Sequence, residues 1–156
     1  MLVGVISDTH GLLRPEAIDA LHGSELIVHA GDVGEAHVLE HLRAIAPTVA
    51  VRGNVDTGQW ARALSPTEVV EVEDLHLYVL HDLATLDVDA KAGGFAAVIS
   101  GHTHHASAQM RNGVLYLNPG SAGPRRFSLP ISLARLRVNG SHLSYEVVEL
   151  PVPASR

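Results

Sequence analysis

Side chains able to hold a metal ion recur in this chain in short motifs: Asp8-Thr9-His10, Gly31-Asp32, Gly53-Asn54, His81 and Gly101-His102-Thr103-His104. Carboxylate and amide oxygens with imidazole nitrogens, and no thiolate, suit Mn²⁺, Fe, Ni²⁺ or Zn²⁺. Asp8, His10, Asp32, Asn54, His81, His102 and His104 are too many for one zinc ion, which usually takes four ligands. They suit two ions sharing a bridging carboxylate, a recurring arrangement for in-line displacement at phosphorus. Asp8 and His10 are two apart, so in an extended segment both point the same way and reach one ion; His102 and His104 repeat the device. Gly31, Gly53 and Gly101 each precede a candidate ligand, where glycine permits a sharp turn and close approach.

Donors so far apart in sequence meet only if several strands end at one rim. Leu2–Ile6 is a continuous apolar run and reads as a buried strand. Pro15–Leu21 reads as a helix, with Pro15 in its first turn and Glu16 favourable near the N-terminus. Residues 26–30 read as a second strand. In residues 35–45, Val38, Leu39, Leu42 and Ile45 recur at helical spacing, and Pro47 stops that helix. Residues 48–51 follow as a third strand. This alternation predicts a parallel sheet with helices packed on it.

The second half is strand-rich. Residues 69–72 and Leu75–Leu80 predict a hairpin across Glu73-Asp74. Asp87 is placed to cap a short helix over 87–91, ended by Gly93-Gly94. Residues 96–100 and 114–117 predict strands, and 132–138 pairs with 143–150 across an Asn-Gly-Ser turn. Eight or nine strands and about three helices predict two stacked sheets with helices outside. Five strands end in candidate ligands, and open α/β sheets bind ligands at the carboxyl ends of their strands.

The bulk numbers are compatible. The 156 residues suit one domain, expected over residues 1–150 with a proline-punctuated tail over 151–156. Hydrophobic residues make up 46% and aromatic residues 4%, so the core is expected to be aliphatic. A net charge of −6 argues against a dedicated nucleic-acid binder, but leaves open a small phosphorylated substrate. No cysteine is present, which excludes disulfides, thiolate catalysis and cysteine-zinc sites. The first apolar run has no basic leader and is too short for a signal peptide or membrane span, so the expected location is cytoplasmic, with no membrane partner.

Together "DTHG" at residues 8–11, "GDV" at 31–33, "GNVD" at 53–56, His81, "GHTH" at 101–104 and "NPGS" at 118–121 resemble the calcineurin-like metallophosphoesterase signature. In length and wording the chain is similar to the small cap-less YfcE-type phosphodiesterases. The resemblance implies an α/β fold, a four-layer α/β/β/α sandwich with two mixed sheets. It implies that Asp8, His10 and His104 hold one divalent ion, that Asn54, His81 and His102 hold the other, and that Asp32 bridges them. It further implies catalytic roles for Asp32, Asn54 and His81, a bridging water or hydroxide as nucleophile, and phosphodiester hydrolysis with manganese favoured in vitro.

Two positions depart from that pattern. Many members carry histidine where this chain has Val55, which cannot titrate; the expectation is a preference for good leaving groups such as aryl phosphodiesters. Asp56 reads as a turn residue more readily than as a substitute acid. Where relatives have glycine after the histidine, this chain has Asp82, read as a solvated loop residue or as a carboxylate orienting a ligand histidine. Arg125 and Arg126 are candidate phosphate contacts. His105 is expected to face solvent, and His22, His29, His37, His41, His76 and His142 read as surface or edge residues. Rival functions are a phosphomonoesterase or nucleotide hydrolase on the same site, and a non-catalytic protein-binding scaffold. An edge strand or apolar sheet face could support a homo-oligomer.

Overall fold

A computed structural model describes residues 1–153 as two five-stranded sheets stacked face to face. In chain order the elements are β1 (Leu2–Ile6), α1 (Pro15–Leu21), β2 (Leu26–His29), α2 (Ala36–Ile45), β3 (Thr48–Ala50), β4 (Thr67–Val72), β5 (Leu75–Leu80), β6 (Ala97–Ile99), β7 (Ser107–Arg111), β8 (Val114–Asn118), β9 (Ser132–Asn139) and β10 (His142–Glu149). Short 3₁₀ turns occupy Trp60–Ala63 and Leu83–Thr85. The first sheet runs β10-β9-β1-β2-β3, the second β4-β5-β6-β8-β7. Both are mixed: β1, β2 and β3 are parallel, as are β5, β6 and β8, while β4, β7, β9 and β10 pair antiparallel.

Three apolar layers hold the stack. Between the sheets, Val3, Val5 and Val28 pack with Leu77, Val79, Ile99 and Leu115, which explains why β1 reads as an unbroken apolar run. On the outer face of the first sheet, Ala17 and Leu21 of α1 and Val38, Leu39 and Leu42 of α2 close over Ile6 and Ile27. On the outer face of the second sheet, Leu83, Leu86, Ala90 and Phe95 cover Tyr78, Leu80 and Val98. The sandwich expected from the sequence is therefore present.

Two local expectations are corrected. Residues 87–91 form no α-helix. The segment is a tight turn in which Asp89, not Asp87, caps by accepting from the Ala92 N–H at 3.1 Å, and a four-residue span before Gly93-Gly94 is too short to repay helix nucleation. The described residues hold ten strands, one more than expected; the additional one, β7, has the largely polar sequence Ser-Ala-Gln-Met-Arg, as befits an edge strand paired on one side only. Of the expected tail, residues 151–153 stay attached through hydrogen bonds from Arg125 to the carbonyls of Val152 and Pro153, and 154–156 lie outside the described residues.

Candidate metal centre

The carboxyl ends of β1, β2, β3, β5 and β6 converge on one rim, and backbone hydrogen bonds stitch their loops together. The N–H groups of Asp8, His10 and Gly11 donate to the carbonyls of Gly31, Asp32 and Val33 at 2.8–3.0 Å, joining the loops after β1 and β2. Gly101 N–H donates to His81 O at 2.9 Å, joining the loops after β6 and β5. The two sheets meet where His102 N–H donates to Asp8 Oδ2 at 3.0 Å. The "NPGS" segment braces that junction: Asn118 Nδ2 donates to Gly101 O at 2.9 Å and Ser121 Oγ donates to Asp8 O at 3.0 Å.

Six of the seven candidate ligands fall into two sets whose donor atoms lie within 4.8 Å of one another: Asp8, His10 and His104, and Asp32, His81 and His102. Each set pairs two imidazole rings with centroids 5.2 Å apart, His10 with His104 and His81 with His102. The sets adjoin. His81 Nε2 lies 3.2 Å from Asp32 Oδ2 and 3.9 Å from Asp8 Oδ1, and His10 Nε2 lies 3.6 Å and 3.9 Å from the same two oxygens. Asp32 Oδ2 thus sits between histidines of different sets. Asn54 is exposed on the loop after β3, directly before Val55, whose N–H donates to Asp32 Oδ1.

Each carboxylate is held so that one oxygen is left over. Asp8 Oδ2 accepts from Ser7 Oγ and His102 N–H, leaving Oδ1; Asp32 Oδ1 accepts from Val55 N–H, leaving Oδ2. His81 Nδ1 donates to Ala30 O at 2.7 Å, which fixes the ring and turns the Nε2 lone pair toward the carboxylates. Asp8 Oδ1, His10 Nε2, His81 Nε2 and His104 Nδ1 are buried without a hydrogen-bond partner. Orphaned polar atoms are costly in a protein interior. A cluster of them, all of ligand type, fits divalent metal ions.

The electrostatics agree. Burial acts to raise the Asp32 pKa, but the adjacent His81 ring, the Val55 N–H and the His10 imidazole outweigh it and push it down to about 2. Burial acts against the charged form of His81, yet Asp32, the Ala30 carbonyl and Asp8 leave its pKa raised. His104 is lowered by burial first, then by the charges of Arg126 and His10 against the pull of Asp8 and Asp32.

Backbone strain is concentrated here. Eight described residues other than glycine have a left-handed φ, and five of them are Asp8 (57°), His10 (47°), Asp32 (55°), His102 (74°) and His104 (63°). Left-handed φ is unfavourable for residues with a Cβ and persists where the surroundings over-determine it. This corrects the geometric reason given for the Asp-Thr-His and His-Thr-His spacings. The backbone is not extended at these residues, and His102 and His104 diverge into different sets.

The sequence pattern of the calcineurin-like phosphoesterase superfamily domain matches residues 1–141. This chain belongs to that superfamily. The expected likeness to its small YfcE-type members is borne out. A probable metallophosphoesterase of Methanothermobacter thermautotrophicus is 34% identical, with the alignment covering 100% of this chain and 96% of the relative. An archaeal phosphodiesterase superposes with a TM-score of 0.78 at 25% identity, covering 95% of this chain and 100% of that one. Vps29 of Entamoeba histolytica, complexed with Zn²⁺, superposes with a TM-score of 0.75 at 25% identity, covering 96% and 99%.

Within this phosphoesterase frame, several residues differ from expectation. His29 is fully buried, not at a surface or edge: its Nδ1 accepts from Gly31 N–H at 3.1 Å, so Nε2 carries the hydrogen and meets Thr9 Oγ1 at 3.0 Å. Burial first, with His81 and His10 adding to it against Asp56 and Asp32, lowers its pKa to about 4. Asp56 is a turn residue as expected and serves as a clamp, accepting from the N–H groups of Val33, Gly34 and Gly53 at 3.2, 2.9 and 2.8 Å. Arg125 is engaged by the carbonyls of Leu129, Val152 and Pro153 rather than by the rim. Asp82 is a loop residue whose Oδ1 caps the 3₁₀ turn at Ala84 N–H, and its Oδ2 lies 3.9 Å from His102 Nε2, beyond hydrogen-bond distance. His105 is exposed as expected.

Proposed function

We propose that this phosphoesterase is a dinuclear metal-dependent enzyme that hydrolyses phosphodiesters by in-line attack at phosphorus. The observation that carries the reading is the three partnerless donor atoms, Asp8 Oδ1, His10 Nε2 and His81 Nε2, where two carboxylate–imidazole sets meet. Asp8, His10 and His104 would hold one ion, Asn54, His81 and His102 the other, with Asp32 Oδ2 shared. Two such ions supply Lewis acidity toward phosphoryl oxygens and make water a nucleophile near neutral pH. The chain contributes positioning: Ser7, His102 N–H and Val55 N–H leave each carboxylate one oxygen to offer, and the Ala30 carbonyl fixes the His81 tautomer. With Val55 exposed on the rim and Asp56 engaged as a clamp, neither supplies a proton to the leaving group, so the reading favours esters of acidic alcohols and phenols.

The scaffold reading draws on Vps29, and since one Vps29 is complexed with Zn²⁺, metal content alone does not separate scaffold from enzyme. Turnover does. Metal-depleted protein, assayed on bis-p-nitrophenyl phosphate and p-nitrophenyl phosphate with Mn²⁺, Ni²⁺, Zn²⁺ or Mg²⁺ restored, is expected to cleave the diester faster, with Mn²⁺ best. Asp32→Ala is expected to abolish turnover with every metal. Retained activity in that variant would overturn the shared-carboxylate assignment, and faster monoester cleavage would favour the phosphomonoesterase. Absence of turnover in folded, metal-loaded protein would favour the scaffold.

A further inference from the structure

We infer that the cavity beside the His102 set receives the leaving group of the substrate, and that Arg111 at its far end binds an anionic group carried by that leaving group. The inference rests on the proposed phosphoesterase reading for its catalytic half, but the binding half stands independently.

The cavity measures about 230 Å³ and exists because of a gap in the outer layer. Residues 82–95 cover Tyr78, Leu80, Val98 and Val114, and Tyr116 packs at the margin of that cluster. Beyond it the outward face of β7 is uncovered, and the cavity lies between Leu83 and Ala84 on one side and Ser107, Gln109, Arg111 and Tyr116 on the other. Its inner end belongs to the centre itself. Gly101 and Thr103 line it, flanking His102, and so does Asp82, whose Oδ2 is 3.9 Å from His102 Nε2.

Arg111 is prepared for an anion. Its Nε and Nη2 both donate to Gln109 Oε1, at 3.1 and 2.9 Å, and its guanidinium lies 4.9 Å from the centroid of the Tyr116 ring. An arginine on a surface strand ordinarily loses substantial rotamer freedom when it binds. Here a neighbouring amide and a ring face have already fixed the side chain, so less is lost on binding. Neither partner is an anion, and among the described residues no carboxylate lies within ion-pair distance of Arg111. With two N–H groups engaged, three remain to meet oxygens.

The spacing sets the ligand. Asn118 bonds Gly101 at the inner end, and Tyr116, under the guanidinium, lies two residues back along β8. That step is roughly 7 Å along a strand. The cavity is smaller than the pockets that hold drug-sized ligands. Its walls combine aliphatic carbon, a phenol ring and one cation, which suits a single ring bearing one carboxylate or phosphate.

Two experiments test this. The first compares methyl phosphodiesters whose leaving group is 3-carboxyphenol or its neutral primary amide, in wild type and Arg111→Gln. The preference in kcat/KM for the carboxylate is expected to fall roughly tenfold or more in the variant. Arg111→Lys, which keeps the charge without the fork, should keep part of the preference. The second experiment needs no catalysis. In EDTA, calorimetry of wild type and Arg111→Gln with phenyl phosphate and with benzoate tells the two anion types apart. At least one is expected to bind the wild type and to weaken about tenfold in the variant, and Gln109→Ala, which frees the guanidinium, should give an intermediate loss. Equal binding by both proteins, no binding of either probe to the wild type, or an unchanged carboxylate-to-amide ratio would overturn the assignment. If bis-p-nitrophenyl phosphate is not hydrolysed at all, the functional reading fails while the calorimetry still decides the pocket.

Discussion

Val55 donates its backbone N–H to Asp32 Oδ1 at 3.0 Å while its side chain stands on the exposed rim. One residue thus positions the Asp32 carboxylate through its backbone and puts a side chain that cannot titrate on the rim. The two roles separate by substitution. Val55→Pro removes the N–H, and a charge-assisted hydrogen bond to a carboxylate is worth about 1.5–3 kcal/mol. Metal affinity, measured by chelator competition, is expected to drop roughly tenfold or more. Val55→His keeps the N–H and adds an imidazole; kcat/KM for alkyl diesters should rise at least ~10-fold while nitrophenyl esters change little. Equal gains on both substrate types would show that leaving-group protonation is not what this position lacks.

Gly101 is packed directly on the first strand's loop. A Cβ there would lie 2.6 Å from Asp8 Oδ2 and would contact Ser7 Oγ, which donates to that oxygen. Gly53 is confined in the same way, its Cβ meeting the backbone N and Oδ1 of Asp32. Gly101→Ala is expected to cost about 1–3 kcal/mol in urea unfolding and to lower metal affinity further than a remote change of equal cost. A variant that unfolds earlier but binds metal normally would contradict this.

His29 links stability to pH. Its pKa is about 4 in the fold against 6.5 for the model imidazole, so between those values the unfolded chain binds a proton that the fold refuses. Stability from this group is fully present above pH 6.5 and is lost as the pH falls toward 4. Against His29→Gln, which cannot titrate, the wild type should lose about 2 kcal/mol between pH 7 and pH 5. Denaturant unfolding at both values checks it; a wild-type advantage that grows on acidification would refute the lowered pKa.

Asp56 holds three N–H groups from two loops. Asp56→Asn keeps the shape but offers a single acceptor oxygen, so at least one buried N–H loses its partner. The expected cost is about 1–3 kcal/mol, with hydrogen exchange accelerated at Val33, Gly34 and Gly53. A pH–rate profile unchanged by the substitution would separate this clamp from a proton donor.

The sequence was most legible where periodicity and chemistry coincided. Leu2–Ile6, Pro15–Leu21 and Leu75–Leu80 match the observed β1, α1 and β5 because an unbroken apolar run or a Pro-initiated helical stripe admits one reading. The ligand residues were visible because their types are unusual after strands. What was missed depended on tertiary surroundings. His29 carries no sign of its hydrogen-bond partners Gly31 and Thr9, although its place ending a strand covered on both faces was a hint of burial. Ser107–Arg111 looks like loop because an edge strand has no second partner to demand apolar residues. The left-handed turns at Asp8 and His10 answer to hydrogen bonds with Gly31 and Asp32, which local spacing does not reveal.

Neither ligand set belongs to one sheet. The first takes Asp8 and His10 from the loop after β1 and His104 from the loop after β6; the second takes Asp32 from after β2, with His81 and His102 from across the stack. An ion held by Asp8 and His104 would close a loop of roughly 95 residues, and tying off a loop of that length removes unfolded-chain entropy worth about 4–5 kcal/mol when a covalent bridge does it. This chain has no cysteine with which to make such a bridge. A metal-loaded centre would thereby also be its cross-link, and removing metal would loosen the two sheets from each other as reduction loosens a disulfide-bonded protein.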